Sequence, residues 1–175
     1  MLQYRTLQVE EAERIAEIDA TNFIKNVWRR DGSGEYQLTE INWTDRELPN
    51  GYAWHLRHFR NTLANGGTAF GCFDGGMLVG YATVEGSVFG QQGYVLLDQL
   101  FVSNPYRGRG IGKALFVLCA ERARSIGAKK IYLCAGSSEN TIAFYGKLGC
   151  RAAAEPNQTL QAEDPRDIQL EFPLK

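Results

Sequence analysis

Apolar positions recur along this chain with two different periods, and the changes of period outline its elements. Residues 3–7 read as a short strand. Residues 8–20 read as a helix in which Val9, Ala12, Ile15, Ala16 and Ile18 form a mixed apolar face. From 21 to 51 no period holds. Gly32, Gly34, Pro49 and the Asn50-Gly51 pair oppose long elements there, so an irregular segment is expected. A second helix is predicted over 52–64, stopping at Asn65-Gly66-Gly67. Thr68–Phe73 and Met77–Glu85 read as strands joined across Asp74-Gly75-Gly76, a hairpin signal, and Tyr94–Val102 as a strongly apolar third strand. A helix from Gly110 to Gly127 carries Ile111, Ala114, Leu115, Leu118 and Ile126 at helical spacing, interrupted by Arg122. Lys129–Cys134 reads as a strand, and Ser138 can cap a helix reaching Gly149. Arg151–Ala154 and Asp167–Phe172 read as the last two strands. This order predicts a mixed sheet covered by helices, in the α/β (α+β) class, as one domain over 1–175.

Composition narrows the function. The 175 residues hold 19 Lys+Arg against 20 Asp+Glu, a formal net charge of −1, which excludes a generally basic nucleic-acid binder. No apolar run approaches the roughly 18 residues of a membrane span, and the N-terminus lacks an apolar signal core. Cys72, Cys119, Cys134 and Cys150 lie far apart, with no CxxC pair and no flanking histidine. They fit neither structural zinc nor a disulfide scaffold, and a reduced, cytoplasmic setting is expected. His55 and His58 are three apart on a predicted helix without a third ligand, so no metal is expected.

The chemistry concentrates between the third strand and the helix after it. Pro105 forces a turn, and Gly108, Gly110 and Gly112 then lead into the helix. A helix start offers unpaired N–H groups and partial positive charge, and glycines let a pyrophosphate approach the backbone. From Gln99 to Ala120 there is no acidic residue, while Arg107, Arg109 and Lys113 are present. A P-loop ending at Lys113 would put Arg107 at its first glycine and Ala114 at its magnesium-binding hydroxyl, so that reading fails twice. A dinucleotide fingerprint fails on glycine spacing and on the missing acidic ribose ligand in Lys129–Cys134.

The pattern R-x-x-G-x-G does fit, through Arg107, Gly110 and Gly112, within the wider V-x-x-x-Y-R-G-x-G-I-G from Val102 to Gly112. Here the sequence resembles the GNAT acetyltransferase superfamily. A second block, Ser138 to Cys150, is similar to that family's N-x-x-A-x-x-F-Y-x-x-x-G-F element, shortened by one residue and with Cys150 at the usual aromatic position. The resemblance covers 68–155 well and the region before 67 only in layout. It implies a mostly antiparallel sheet of six or seven strands flanked by about four helices. An acceptor-side region would span 8–66, an acetyl-CoA-binding core 68–155, and C-terminal strands 151–174.

The resemblance also implies acetyl-CoA as donor and an amine as acceptor. An aliphatic amine is only about one part in a thousand neutral at pH 7, so a proton acceptor is useful, and the departing thiolate needs a proton. Tyr145 is placed by resemblance as proton donor to sulfur, and Asn140 as a holder of the pantetheine arm. Leu100, Phe101 and Val102 would contribute backbone contacts, and Arg107, Gly108, Arg109, Gly110, Ile111, Gly112 and Lys113 the phosphate turn. Asp98 is the leading general-base candidate, with Glu85 its rival. Strand alternation puts Asp98 on the face of Leu100 and Val102. All three tryptophans (Trp28, Trp43, Trp54), both histidines (His55, His58), Tyr36 and the acids Asp31, Glu35, Glu40, Asp45 and Glu47 fall between 28 and 58, and this stretch is expected to shape the acceptor pocket, with Trp28, Tyr36, Trp43 and Glu85 as its leading contacts. The expected activity is a cytoplasmic N-acetyltransferase acting by direct attack on a primary amine of a small molecule or peptide. The alternative is a non-catalytic acyl-CoA-binding or sensing module. A homodimer paired through the C-terminal strand is compatible with both.

Overall fold

The computed structural model describes residues Met1–Lys175. Seven strands make the central sheet: β1 (Gln3–Leu7), β4 (Thr68–Asp74), β5 (Met77–Val84), β6 (Tyr94–Val102), β7 (Lys130–Ala135), β8 (Arg151–Ala152) and β9 (Ile168–Pro173). Strands β2 (Asn22–Arg30) and β3 (Tyr36–Asp45) form a separate ribbon. Four α-helices follow the chain: α1 (Tyr52–Ala64), α2 (Ile111–Ser125), α3 (Glu139–Leu148) and α4 (Gln158–Glu163). The sheet order is β1-β4-β5-β6-β7-β9-β8, antiparallel throughout except between β6 and β7. The mixed, mostly antiparallel architecture matches the expectation.

Both faces of the sheet are covered, which is why β5 is buried from Leu78 to Val84 rather than alternating. On one face α2 sets Ile111, Leu115, Phe116 and Cys119 against Val79, Ala82, Val95 and Ile131. On the other, α1 and the segment Val9–Glu17 set Phe59, Ala12 and Ile15 against Leu7, Ala69, Leu78 and Tyr81. Each fully buried side chain of this size stabilises the fold by roughly 1.5–3 kcal/mol.

One irregularity shapes the site. β5 pairs with β6 from Gly80–Val102 to Thr83–Gln99 and then skips, so Val84 faces Leu97 and Asp98 is left as the extra residue. Such a bulge bends the strand and raises its twist. β6 and β7 pair only across Tyr94–Leu96 and Lys130–Tyr132. Both strands continue beyond these pairs without meeting, and their parted edges form a wedge.

The structure corrects two expectations and adds one helix. Residues 8–20 wind as a 3₁₀ helix over Val9–Glu17 rather than as an α-helix. The segment 21–51 is no irregular loop but mainly the β2–β3 ribbon, docked on the start of α3 where the Trp28 N–H donates to the Ser137 carbonyl at 2.8 Å. Every β3 residue except Asp45 is exposed, so no buried face imposes a period of two on its sequence. Helix α4, capped by Asn157 accepting the Leu160 N–H at 3.1 Å, has only six residues and is too short to show a period.

The paired end of the wedge is held by Glu171 on β9, whose side chain is 1% exposed. It accepts hydrogen bonds from the Tyr94 hydroxyl (2.6 Å), Lys130 (3.0 Å), Arg151 (3.1 Å) and the Ala154 N–H (3.1 Å), joining β6, β7, β8 and β9. Burial alone raises the pKa of this carboxyl, but the hydrogen bonds from Tyr94, Ala154, Lys130 and Arg151 outweigh it and bring the pKa from 4.5 down to about 2. A depressed carboxyl pKa stabilises the fold fully above 4.5, and that stability is lost as pH falls through about 2. Glu171→Gln is expected to cost about 3–5 kcal/mol in urea denaturation at pH 7. The difference from wild type should shrink as pH falls from 4.5 towards 2.

Candidate active site

The site begins where β6 hands over to α2. The first backbone hydrogen bond of α2 runs from the Ala114 N–H to the Gly110 carbonyl at 3.0 Å, so the N–H groups of residues 108–113 donate to nothing within the protein. No acid stands in the first turn. Gly108 (φ +77°) and Gly110 (φ +80°) are left-handed, a conformation that favours glycine, and the space beyond them is open. These unpaired donors, together with the helix dipole, make an anion cradle at the wide end of the wedge. Exposed Arg109 and Lys113 flank it.

Two expectations about this turn change. Gly112 was expected to admit a pyrophosphate, but a Cβ there would lie 3.1 Å from the Phe144 ring, so this glycine lets α3 pack on α2. The Arg107 guanidinium donates to the carbonyls of Val102 (3.0 Å) and Thr21 (2.9 Å) and to Asn22 Oδ1 (3.0 Å). It therefore ties the chain before β2 to the turn rather than reaching into the cradle. Ile111 is buried in the core, so it offers the cradle only its N–H.

Beyond the β5 pairing, the other edge of β6 over Leu100, Phe101 and Val102 faces no strand, leaving backbone groups free along the wedge apart from the Val102 carbonyl that Arg107 meets. On the α1 side the wedge opens into a cavity of about 600 Å³. Leu96, Leu97 and Asp98 of β6 and Cys134 of β7 form its floor. Trp54, Arg57 and His58 of α1 form one wall, and Leu160, Glu163, Asp164 and Asp167 the other.

Asp98 is in this cavity, but not by the predicted route. Leu100 and Val102 pack in the α2-side core, whereas the bulge turns Asp98 to the α1 side, its Oδ2 3.3 Å from His58 Nδ1. Gln99 lies on the same side, donating to the His55 carbonyl at 3.2 Å. Glu85 sits nearby, accepting from the Thr62 hydroxyl at 3.4 Å. Desolvation raises its pKa, and the charge of Asp98 adds to the rise.

Burial likewise lifts Asp167, with help from Asp164, from 3.8 to about 7. Cys134 is pushed up to about 12, first by burial and then by Asp167, Asp98 and Glu163, so it stays a thiol at neutral pH and is a poor nucleophile.

Tyr145 lies in the α2-side core beside Phe144 and Phe116. Burial raises its pKa, the nearby Cys150, Cys119 and Asp167 add to the rise, and no hydrogen bond offsets it. Asn140 is exposed on the first turn of α3, while Ser138 caps that helix by accepting the Thr141 N–H at 3.2 Å.

Trp28, Tyr36 and Trp43 do not line the cavity. They belong to the ribbon, where Trp43 is 60% exposed with its indole N–H on Asp45, and Tyr36 lies against Arg30. Of the three tryptophans only Trp54 lines the cavity. Trp54, Arg57 and His58 stand at i, i+3 and i+4 on α1, a spacing that marked one helix face in the sequence. The acids of the opposite wall were visible only as a polar run from Glu163 to Asp167.

The likeness to known proteins agrees with this geometry. No curated protein sequence matches the chain. Among solved structures, a nourseothricin acetyltransferase superposes with a TM-score of 0.76 at 22% identity, over 99% of each chain. A protein from Bacillus anthracis str. Ames, described as a candidate streptothricin acetyltransferase and solved with acetyl coenzyme A, superposes at 0.71 and 14% identity, again over 99% of each chain. The PaiA N-acetyltransferase of Thermoplasma acidophilum, solved with coenzyme A, superposes at 0.63 and 16% identity over 99% of each chain. At these identities the likeness is one of fold. The sequence profile of the acetyltransferase (GNAT) family matches residues 35–150, more than half of the chain and both glycine-turn and α3 blocks, and the chain belongs to that family.

Proposed function

We propose that this protein is an acetyl-CoA-dependent N-acetyltransferase that acylates a primary amine by direct attack. The observation that carries the reading is the parted strands. An anion cradle on the α2 side and a carboxylate-rich cavity on the α1 side meet across the same wedge between β6 and β7.

The residues present fit the donor. The six free N–H groups at 108–113 would hold its pyrophosphate, with Arg109 and Lys113 adding charge. The unpaired edge at Leu100–Val102 would take the pantetheine arm as a strand would, aided by Asn140 on α3. Bound acetyl-CoA supplies an acyl carbon activated by its thioester. A proton acceptor on the cavity floor, where Asp98 stands beside His58, takes the proton of the ammonium, the step that makes a nucleophile of it. Tyr145 stays protonated, since burial raises its pKa, and so keeps a phenolic proton for the departing sulfur.

A desolvated thiolate is itself a stronger base than in water, which helps that transfer. Burial and the neighbouring acids, which push Cys134 up to about 12, disfavour an acyl-cysteine route through it.

Glu163, Asp164 and Asp167 face Trp54 across the cavity, a setting suited to a cationic small molecule. One of the superposed structures is named for nourseothricin and another for streptothricin, which puts these two compounds in the panel to be tried beside polyamines, amino acids and an N-terminal peptide.

Incubation with acetyl-CoA and this panel is expected to release free thiol with at least one small cationic amine. Tight coenzyme A binding with no release from any amine would overturn the reading. Tyr145→Phe should lower kcat by about 10–100-fold and leave acetyl-CoA affinity unchanged. Equal turnover would remove the proton-donor role.

Asp167, protonated more readily in the folded chain than unfolded, stabilises below pH 3.8, and that stability is lost as pH rises through about 7. Asp167→Asn should therefore melt higher than wild type at pH 8, and a cationic acceptor should raise its Tm less than that of wild type.

A further inference from the structure

We propose that His58, held by Asp98, is the group that receives the proton of the acceptor amine; the inference rests on the N-acetyltransferase reading above. His58 Nδ1 lies 3.3 Å from Asp98 Oδ2. Its ring is stacked on Trp54, with centroids 3.5 Å apart and planes 18° from parallel, which fixes the plane in which its nitrogens point. Both side chains border the 600 Å³ cavity. His58 is the more accessible of the two, at 27% against 11%, so an amine entering from the cavity meets the imidazole before the carboxylate.

A carboxylate on Nδ1 holds the ring proton there and leaves the Nε2 lone pair free, and His58 Nε2 makes no hydrogen bond within the protein. The other histidine has no such freedom. His55 is 3% exposed, and its two ring nitrogens are engaged by Gln99 Oε1 (3.0 Å) and the Pro49 carbonyl (2.6 Å). Glu85 does not line the cavity and is held by Thr62.

The proton account closes. One proton of the ammonium moves to His58 Nε2, giving an imidazolium whose charge Asp98 balances. The freed nitrogen pair forms the bond to the acyl carbon, and the carbon–sulfur bond breaks with its pair on sulfur. The second proton lost by nitrogen ends on that sulfur, by way of Tyr145, whose own proton is replaced. The imidazolium then returns its proton to water. Ammonium and thioester thus give amide, thiol and one proton.

The chain has only two histidines, so the imidazole nitrogens can be resolved in long-range ¹H–¹⁵N spectra of the whole protein, with His58→Asn giving the assignment. The neutral His58 ring is expected to carry its proton on Nδ1, and Asp98→Asn should shift it towards the Nε2–H form. A wild-type ring protonated on Nε2 overturns the proposal, whatever the activity.

In turnover, His58→Asn should lower kcat by about 100-fold with the KM for acetyl-CoA unchanged, and the double variant with Asp98→Asn should fall no further than the worse single one. A loss confined to acceptor KM, or a kcat within about threefold of wild type while Asp98→Asn is crippled, makes Asp98 the base and overturns the proposal. Should His58→Asn fail to fold by circular dichroism, His58→Gln and the wild-type tautomer decide the matter. Wild-type protein inactive on every amine would instead overturn the acetyltransferase reading, a result separate from the tautomer.

Discussion

Two neighbouring parallel strands part after three residue pairs, and the rest of this molecule is arranged around that parting. Glu171 clamps the paired end with four hydrogen bonds from Tyr94, Lys130, Arg151 and Ala154. The bulge at Asp98 interrupts the β5–β6 ladder two residues beyond Leu96, the last β6 residue paired with β7. Backbone groups at a parted edge are unsatisfied unless water or a ligand meets them, so the wedge is a binding surface made from main chain. The two helical layers make it usable. α2 aims its free N–H groups at one mouth, and α1 with α4 walls the other.

The charge of −1 is an average over two opposite environments. Around the cradle the chain carries no acid from Gln99 to Ala120, while Asp98, Glu163, Asp164 and Asp167 share a single cavity. Crowding carboxylates in a partly desolvated space has consequences that exposed acids would not show. Asp167 holds its proton up to about 7, and Cys134 is kept from ionising. A cation beside these carboxylates would favour their charged forms against both the burial and the mutual repulsion that oppose them.

Features governed by neighbours along the chain were legible before any fold was known. The glycine turn is one, because Gly108 and Gly110 answer a local need for positive φ. The α2 core face and the β4–β5 hairpin are others, since one buried face stamps its period on the residues. The β2–β3 ribbon left no such mark because β3 is exposed on both faces. The face of Asp98 was misread for a related reason. Alternation assumes an unbroken ladder, and the extra residue exists only in the pairing of β6 with β5.

The local chemistry of the chain was enough for the family, the sheet-and-helix architecture and the glycine turn that opens α2, all properties of contiguous segments. It named Asp98 without its partner. Tertiary structure decided the cavity on the α1 side. Folding brings α1, β6, β7 and α4, which span more than a hundred residues of chain, around one cavity. It keeps Trp54 at the cavity while Trp28, Tyr36 and Trp43 go to the ribbon, and it sets His58 against Asp98, 40 residues apart in sequence. Contacts at that separation depend on how layers stack and where a bulge falls, and neither is written in the spacing of residues along one strand or helix.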